Sequence, residues 1–231
     1  MIPHGYLVHH GIIGQKWGIR RYQNADGSYT SAGKERRSSG SLANNLYKRA
    51  QEKEPVISND IRSVVSGTSG KMYGLEHRLK TKESLNRKIK TDSEEKNIGM
   101  DESASGIKDA VRYTVLSKDN DFVKNYNAVK SGLEKKGYSE ARCKNYFDLY
   151  NKGEVKHKSV QSVFRTPDGY LFEVQFQTPA SQKAKNDKLP LYEEARKVGV
   201  KSERKAELER QMEMLAEKVP TPKDIYSIKT H

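Results

Sequence analysis

Four polar side chains in one short segment of the chain could together hold phosphate groups. In the run GLEHRLKTKESLNRKI they are Arg78, Lys80, Ser84 and Lys88. Far downstream, the run FEVQFQT carries a single carboxylate, that of Glu173. A phosphoryl-type transfer between nucleotides needs cations that hold the phosphates and a carboxylate that takes a proton or a metal ion. The combination therefore indicates transfer chemistry on nucleotides.

The basic residues must share one surface for this interpretation to hold. If the chain is helical from about Leu75, Ser84 and Lys88 are i,i+4 neighbours, and Lys80 lies one turn before Ser84. Arg78 then lies near the helix start, where backbone N–H groups also favour anions. We expect this helix face to bind a triphosphate. A surface helix with ordinary basic residues is the alternative.

Two carboxylates could complete such a site. Asp109 precedes the run AVRYTVLS, and a carboxylate there could hold Mg²⁺ through one or two oxygens; a turn cap is its alternative role. Glu173 could act as general base for a ribose hydroxyl or as a second metal ligand. It alternates with apolar residues and shares a strand face with Gln175 and Gln177. Such a polar face is expected of an active-site floor, with a water-facing edge strand as the alternative.

The length, apolar content, net charge and cysteine count of the chain limit the classes of protein to which it can belong. The chain has 231 residues, of which 34% are hydrophobic and 32% charged, so we expect one modest core with solvated segments. No run approaches the roughly 18 apolar residues of a membrane helix, and no secretory signal is predicted. The net charge of +13 favours phosphate-rich partners, with solubility plus a basic tail as the alternative. The only cysteine, Cys143, excludes an intramolecular disulfide and is compatible with a reducing compartment.

Three parts of the chain differ in character. Residues 1–35 are glycine-rich, include the only tryptophan, and predict a small irregular segment without a core of its own. Residues 36–43 resemble a linker, because serine and glycine recur there. A single domain is expected over 44–228.

Within that domain, hydrophobic periodicity predicts an α+β fold with a mixed β-sheet of about five strands flanked by helices. The clearest hairpin is 159–178, with a turn at Pro167-Asp168-Gly169. Other strands are expected at 110–117, 141–150 and 224–228, and loops at 67–74 and 89–106. The predicted helices cover 44–65 with a break at Pro55, a stretch from about 75, 120–136, 179–198 and 201–218.

The order of these motifs resembles the RelA/SpoT-type nucleotide pyrophosphokinase domain. The matching pieces are RxKxxxSxxxK, an aspartate at a strand start, and a hairpin that ends in EVQxxT, over about residues 70–180. The stretch EVQFQTPASQKAK…LYEEAR looks like the version found in phage-borne and toxin-like proteins. The resemblance implies a nucleotidyltransferase-like synthetase fold.

The resemblance also implies an activity, the transfer of pyrophosphate from ATP to a 3′-hydroxyl of a guanine nucleotide. Some toxin members of the family instead modify adenine nucleotides or the 3′ end of tRNA. The roles implied are ATP phosphate binding by Arg78, Lys80, Ser84 and Lys88, Mg²⁺ binding by Asp109, and activation of the acceptor hydroxyl by Glu173 with Gln175 beside it.

Three positions depart from the family pattern. Arg112 falls where the family strand DxxGxR has its glycine. His157 falls near the position of the tyrosine that stacks on the acceptor base, and histidine can stack on a base less well than tyrosine. Gln161 stands where the family has a histidine.

The N-terminal run HHGIIGQKWGIRRYQNADGSYTSAGKERR is similar to a segment at the start of tailed-phage structural, head-associated proteins. It implies a phage or prophage origin and a packaging or docking role. The expected location is the cytoplasm of a bacterial host or the virion, with virion proteins or an antitoxin as partners. Besides an enzyme, we therefore consider a non-catalytic phage structural protein that retains a degenerate synthetase-like fold.

Overall fold

A computed structural model of the chain describes residues 24–28, 30–197 and 199–231. Most of the segment 1–35, including Trp17, lies outside the described residues. Its similarity to tailed-phage proteins and the irregular structure expected of residues 1–23 therefore remain predictions, whereas residues 31–35 are helical. The division of the chain at 36–43 also remains a prediction, although these residues are helical here.

One mixed sheet organises the described part of the chain. Its strand order is β1-β2-β5-β4-β3, with β2 and β5 parallel and the other neighbours antiparallel. The expected α+β fold with five strands and flanking helices is confirmed. The strands are β1 (Lys71–Tyr73), β2 (Arg112–Leu116), β3 (Ser139–Asn145), β4 (Val160–Arg165) and β5 (Leu171–Gln177).

Helices cover the sheet and connect its strands. In the described residues they are α1 (Ser31–Ser66), α2 (Lys82–Lys96), α3 (Met100–Gly106), α4 (Phe122–Lys135), α5 (Tyr146–Asn151), α6 (Pro179–Ala195) and α7 (Ser202–Glu217). Within this part of the chain, we find no helix with the length and hydropathy needed to cross a bilayer.

The apolar core lies on one face of the sheet. Alternate residues of β5, among them Phe172 and Phe176, are fully buried on that face. Tyr126 of α4 packs edge-on against Phe176, with ring centroids 5.1 Å apart, and Tyr138 packs on Phe172 at 5.8 Å. The strand alternation that buries these rings places Glu173 and its neighbours on the opposite face.

Helix α1 runs without interruption through Pro55, so the predicted break there is wrong. Its apolar stripe continues on both sides of the proline, with Ala50, Ile57 and Ile61 buried in the core. Packing of this stripe offsets the hydrogen bond that proline cannot donate.

The region between α1 and β2 holds more regular structure than its polar composition predicts. The loop expected at 67–74 contains β1. Of the helix expected from Leu75, only a 3₁₀ turn (Leu75–His77) forms before α2 begins at Lys82, after the cap Thr81. The loop expected at 89–106 is wrong, because α2 continues to Lys96 and α3 follows. The buried hydroxyl of Ser103 donates to the carbonyl of Ile89 at 2.8 Å and ties the two helices together.

Two further boundaries differ from expectation. The strand predicted at 141–150 ends at Asn145, whose side chain accepts hydrogen bonds from the backbone N–H groups of Phe147 and Asp148 and begins α5. Residues 224–228 dock through buried Ile225, but they form a short 3₁₀ turn instead of a strand. The remaining helices and the hairpin of β4 and β5 are confirmed.

Candidate active site

An open cleft of about 960 Å³ lies between α2 and α6, at the beginning of β2. Four residues predicted from the sequence line it: Lys80, Ser84, Lys88 and Arg112. The other lining residues are Arg87, Thr91, Asp92, Glu95, Leu189, Tyr192, Glu193 and Arg196. Basic side chains outnumber acidic ones around it, so the cleft favours an anionic ligand.

Lys80 reaches this cleft by a route that the helical pattern did not predict. It lies in an extended segment before α2, where Leu79 forms an isolated β-bridge with Val111. The backbone N–H of Lys80 donates to the carbonyl of Ala110 at 3.0 Å. The expectation of a single helix face is therefore wrong for Lys80, and bridge pairing with the chain before β2 brings it beside Lys88.

Asp109 lies between the two lysines. Its carboxylate oxygens are 3.1 Å from Lys80 Nζ and 3.0 Å from Lys88 Nζ, and its side chain is only 14% exposed. Burial alone would raise the pKa of Asp109, but the charges of Lys80 and Lys88 outweigh it and hold that pKa below its ordinary value. Asp109 is thus ionised and joins the two cations into one cluster.

Glu173 lies on the central strand of the sheet. Strand β5 pairs with β2 on one side and β4 on the other, and Glu173 is only 7% exposed, which excludes a water-facing edge strand. Burial and then the negative charge of Asp109 raise the pKa of Glu173, while Gln175, Arg112 and Lys88 act in the opposite direction. The negative charge of Asp109 therefore acts on Glu173.

Gln175 connects Glu173 to a lysine that the sequence patterns did not reveal. Gln175 Nε2 donates to Glu173 Oε1 at 2.6 Å, and Lys185 Nζ donates to Gln175 Oε1 at 2.7 Å. Lys185 comes from α6, ten residues after Gln175. Among the many lysines of the C-terminal helices, no spacing rule distinguishes it, and only the packing of α6 beside β5 identifies it.

Arg78 is separated from the other predicted phosphate ligands. Its Nε donates to Glu54 Oε1 at 2.5 Å, and its Nη1 donates to the carbonyl of Leu75 at 2.8 Å. Arg78 lines a neighbouring cavity of about 390 Å³. Lys80 lines both this cavity and the main cleft, whereas Lys88 lines only the main cleft. In this structure Arg78 fastens the segment before α2 to helix α1.

His157 lies in a second cavity beside the cleft. Its ring stacks on Tyr146, with centroids 4.2 Å apart and planes inclined by 37°. The cavity, of about 390 Å³, shares Leu189 and Tyr192 with the main cleft. His157 as a whole residue is exposed, yet desolvation of its ring and the charges of Lys188 and Lys185 lower its pKa to about 4. The imidazole is therefore neutral near neutral pH.

The chemistry of the acidic groups fits a magnesium ion only in part. Within the described ranges, no three side chains of the His, Cys, Asp and Glu types gather around one point. Mg²⁺ is usually bound by one or two carboxylates together with substrate phosphates and water. Asp109 and Glu173, whose charges already interact, fit that pattern when phosphates supply the remaining oxygens.

No known family model and no curated protein matches this sequence. Among solved structures, 33 chains match. One is the type VI effector Tas1 in complex with its immunity protein, with 17% identity, a TM-score of 0.48, and coverage of 75% of this chain and 94% of that chain.

Two further matches have the same TM-score of 0.48. The small alarmone synthetase 1 from Bacillus subtilis, bound to its product pppGpp, has 19% identity and coverage of 74% of this chain and 88% of that chain. A GTP pyrophosphokinase family protein from Streptococcus pneumoniae has 18% identity, with 75% and 85% covered. At these values the likeness carries no argument about function, which depends on the site itself.

Proposed function

We propose that this protein is a RelA/SpoT-like, ATP-dependent pyrophosphokinase. It transfers the terminal pyrophosphate of ATP to a 3′-hydroxyl of a guanine or adenine nucleotide or of tRNA. One observation carries the proposal: Lys80, Lys88 and Arg112 line one cleft, Asp109 pairs with the two lysines, and Glu173 is the register partner of Arg112, although the sequence separates them widely. If these five residues lay far apart in the structure, the proposal would have no basis.

The cations of the cleft are suited to a triphosphate. Lys80 and Lys88 share the charge of a single carboxylate, Asp109, so an incoming polyphosphate meets a net positive pair. Arg112 and Ser84 line the same cleft and add further donors to phosphate oxygens. Fixed cations of this kind stabilise the charge that spreads over a phosphoryl group during transfer.

Glu173 is suited to the role of general base. Its pKa is raised, mainly by burial, so the carboxylate has more affinity for a proton than an ordinary glutamate. In the proposed step Glu173 takes the proton of the 3′-hydroxyl, and the hydroxyl oxygen forms a bond to the β-phosphorus of ATP. The bond between the β-phosphorus and the oxygen bridging to the α-phosphorus breaks, and AMP leaves with that oxygen.

Asp109 would hold Mg²⁺ together with the phosphates of ATP, and Glu173 would be a second ligand only in the alternative in which it is not the general base. When bound, the ion neutralises phosphate charge and favours one orientation of the polyphosphate. The chain's own contribution is to hold ATP with Lys80 and Lys88 and to keep Glu173 at the buried centre of the sheet.

The acceptor would occupy the cavity beside the cleft, with its base against His157. That cavity meets the cleft at Leu189 and Tyr192, so an acceptor there would lie next to a donor held by Lys88. A toxin or phage-injected effector role, with an antitoxin or virion proteins as partners and the host cytoplasm or the virion as location, belongs to the same proposal. It rests on the sequence resemblance alone.

Two labels on ATP test the proposal. The protein is incubated with Mg²⁺, one acceptor from GDP, GTP, ADP and tRNA, and ATP labelled at either the γ- or the α-phosphorus, and the products are separated. Label from the γ position should appear in the acceptor, and label from the α position only in AMP. α-Label in the acceptor would indicate nucleotidyl transfer instead. No transfer to any acceptor would favour the non-catalytic phage structural protein.

A further inference from the structure

Lys185 makes a contact that its position on a charged helix does not explain. Helix α6 carries several lysines, and Lys183, for example, forms an exposed i,i+4 ion pair with Asp187. Lys185 instead turns towards the sheet and donates a hydrogen bond of 2.7 Å to Gln175 Oε1 on β5. The contact joins α6 to the polar sheet face that carries Glu173.

The hydrogen-bonding capacities of the three groups fix their orientation. An ammonium group only donates, an ionised carboxylate only accepts, and a side-chain amide does each at one end. With its Oε1 held by Lys185, Gln175 must direct its NH₂ group towards Glu173 Oε1, which lies 2.6 Å away. If the amide were flipped, its NH₂ group would face the ammonium of Lys185 and its oxygen would face the carboxylate of Glu173, so both hydrogen bonds would be lost.

This relay leaves Glu173 with a defined reactive oxygen. The amide of Gln175 binds Oε1 and resists rotation of the carboxylate. Oε2 is the oxygen outside this hydrogen bond and, on the proposed function, the one that takes the proton of the acceptor hydroxyl. Arg112 lies next to Glu173 on the neighbouring strand. The orientation of the base is therefore set from α6 through Gln175.

We propose that Lys185 is a positioning residue for the general base Glu173, acting through Gln175. The inference rests on the proposed function and names a residue outside its sequence motifs. Lys185 also lines the cavity of His157, so it connects that cavity to Glu173 through Gln175. Lys185 as a whole residue is exposed, but desolvation of its ammonium group and the charge of Arg112 lower its pKa to about 8. The side chain is still largely protonated, and hence a donor only, at neutral pH.

Single-turnover transfer rates at saturating ATP and acceptor test this role. Lys185→Met removes the donor while keeping an unbranched side chain, and it should slow transfer by about 10–100-fold, as for other losses of an orienting partner. Lys185→Arg keeps a donor and should restore part of the rate. Lys183→Met removes an equal charge from the exposed face of α6 and should transfer at the wild-type rate.

A double-mutant cycle identifies the path through Gln175. If Lys185 acts by holding Gln175, the Lys185→Met, Gln175→Met double variant should be no slower than the slower single variant. Multiplied losses in the double variant would overturn the relay, and a Lys185→Met variant as fast as wild type would overturn the role of Lys185 itself.

Thermal melts of all variants separate positioning from folding. Rates that follow melting temperature across the Met and Arg variants of Lys185 would mark a purely structural lysine and overturn the proposal. A wild type that transfers nothing to any acceptor overturns the proposed function, and the inference with it. If the wild type transfers pyrophosphate but Lys185→Met is equally fast, only the role of Lys185 fails. The two failures are therefore distinguishable.

Discussion

Arg112 and Glu173 are register partners on two adjacent parallel strands, β2 and β5. Neighbouring strands lie about 4.8 Å apart, and partners in register direct their side chains to the same face of the sheet. A guanidinium and a buried carboxylate are thus placed side by side next to the cleft. Arg112 opposes the rise in the pKa of Glu173 that burial and Asp109 produce.

Replacement of Glu173 by glutamine should separate catalysis from folding. Glutamine keeps the shape and can still bond to Gln175, but it cannot take a proton, so single-turnover transfer should fall by about 10²–10⁴-fold. Because the carboxylate is buried, its loss should leave the free energy of unfolding unchanged or increase it. Transfer rates and urea unfolding of both proteins check this, and a variant as fast as wild type would remove Glu173 from the mechanism.

Loss of either cleft lysine should weaken ATP binding. Lys80→Ala or Lys88→Ala removes a charge-assisted contact and should cost about 1–3 kcal/mol of ATP binding free energy, measured by calorimetry. Lys90→Ala is the matched control, since Lys90 belongs to the same helix as Lys88 but does not line the cleft. Equal ATP affinities in all three variants would mean that the cleft does not bind the donor.

The Asp109 cluster should make stability depend on pH. The folded-state pKa of Asp109 lies below its ordinary value, so its stabilising effect is present above the unfolded pKa and disappears as pH falls through the lowered one. At neutral pH the free energy of unfolding of the wild type should be about 1–3 kcal/mol larger than that of the Asp109→Asn variant. This difference in unfolding free energy should shrink once the pH falls below about 4, and it should vanish when the pH has passed the lowered pKa of Asp109 in the folded state.

Asp101→Asn provides the control for this series, since Asp101 is an exposed aspartate at the start of α3. Urea unfolding of the three proteins across pH supplies the measurement. A difference between wild type and Asp109→Asn that persists unchanged into acid would show that the ion pairs with Lys80 and Lys88 do not stabilise the fold.

Arg78 should matter for stability, whatever it contributes to nucleotide binding. Arg78→Ala leaves the nearly buried carboxylate of Glu54 without its cation and should lower the free energy of unfolding by about 1–3 kcal/mol. Adding Glu54→Gln should recover part of that loss, because the unpaired charge is then removed. A single variant with unchanged stability but weaker ATP binding would instead make Arg78 a phosphate ligand only.

His157 should affect the acceptor rather than ATP. His157→Ala should raise the acceptor KM by the equivalent of about 1–3 kcal/mol, the usual contribution of stacking on a base, and His157→Tyr should lower it. Since the pKa of His157 is about 4, the acceptor KM should show no titration of this residue between about pH 6 and about pH 8. An unchanged KM in His157→Ala would place the acceptor elsewhere.

Local sequence signals determined the elements with strong and continuous patterns. The hairpin of β4 and β5, with its Pro-Asp-Gly turn, and the amphipathic helix α4 follow from alternation and from helical periodicity. Because alternation separates apolar from polar side chains, it also assigned Glu173 and Gln175 to one face of a strand. By contrast, the polar composition of 89–106 wrongly predicted a loop. The helices there are held by packing and by buried Ser103, which composition does not reveal.

Only the tertiary structure decided which distant residues meet. Pairing of the chain before β2 brings Lys80 to Asp109, the parallel register of β2 and β5 brings Arg112 to Glu173, and the direction of α6 brings Lys185 to Gln175. It also joins Arg78 to Glu54 on α1, a contact that the phosphate motif does not suggest. The sequence alone determined the kinds of chemical group and their order, because these are local properties. Contacts between residues far apart in the chain depend on strand pairing and helix packing, which act only when the whole chain folds.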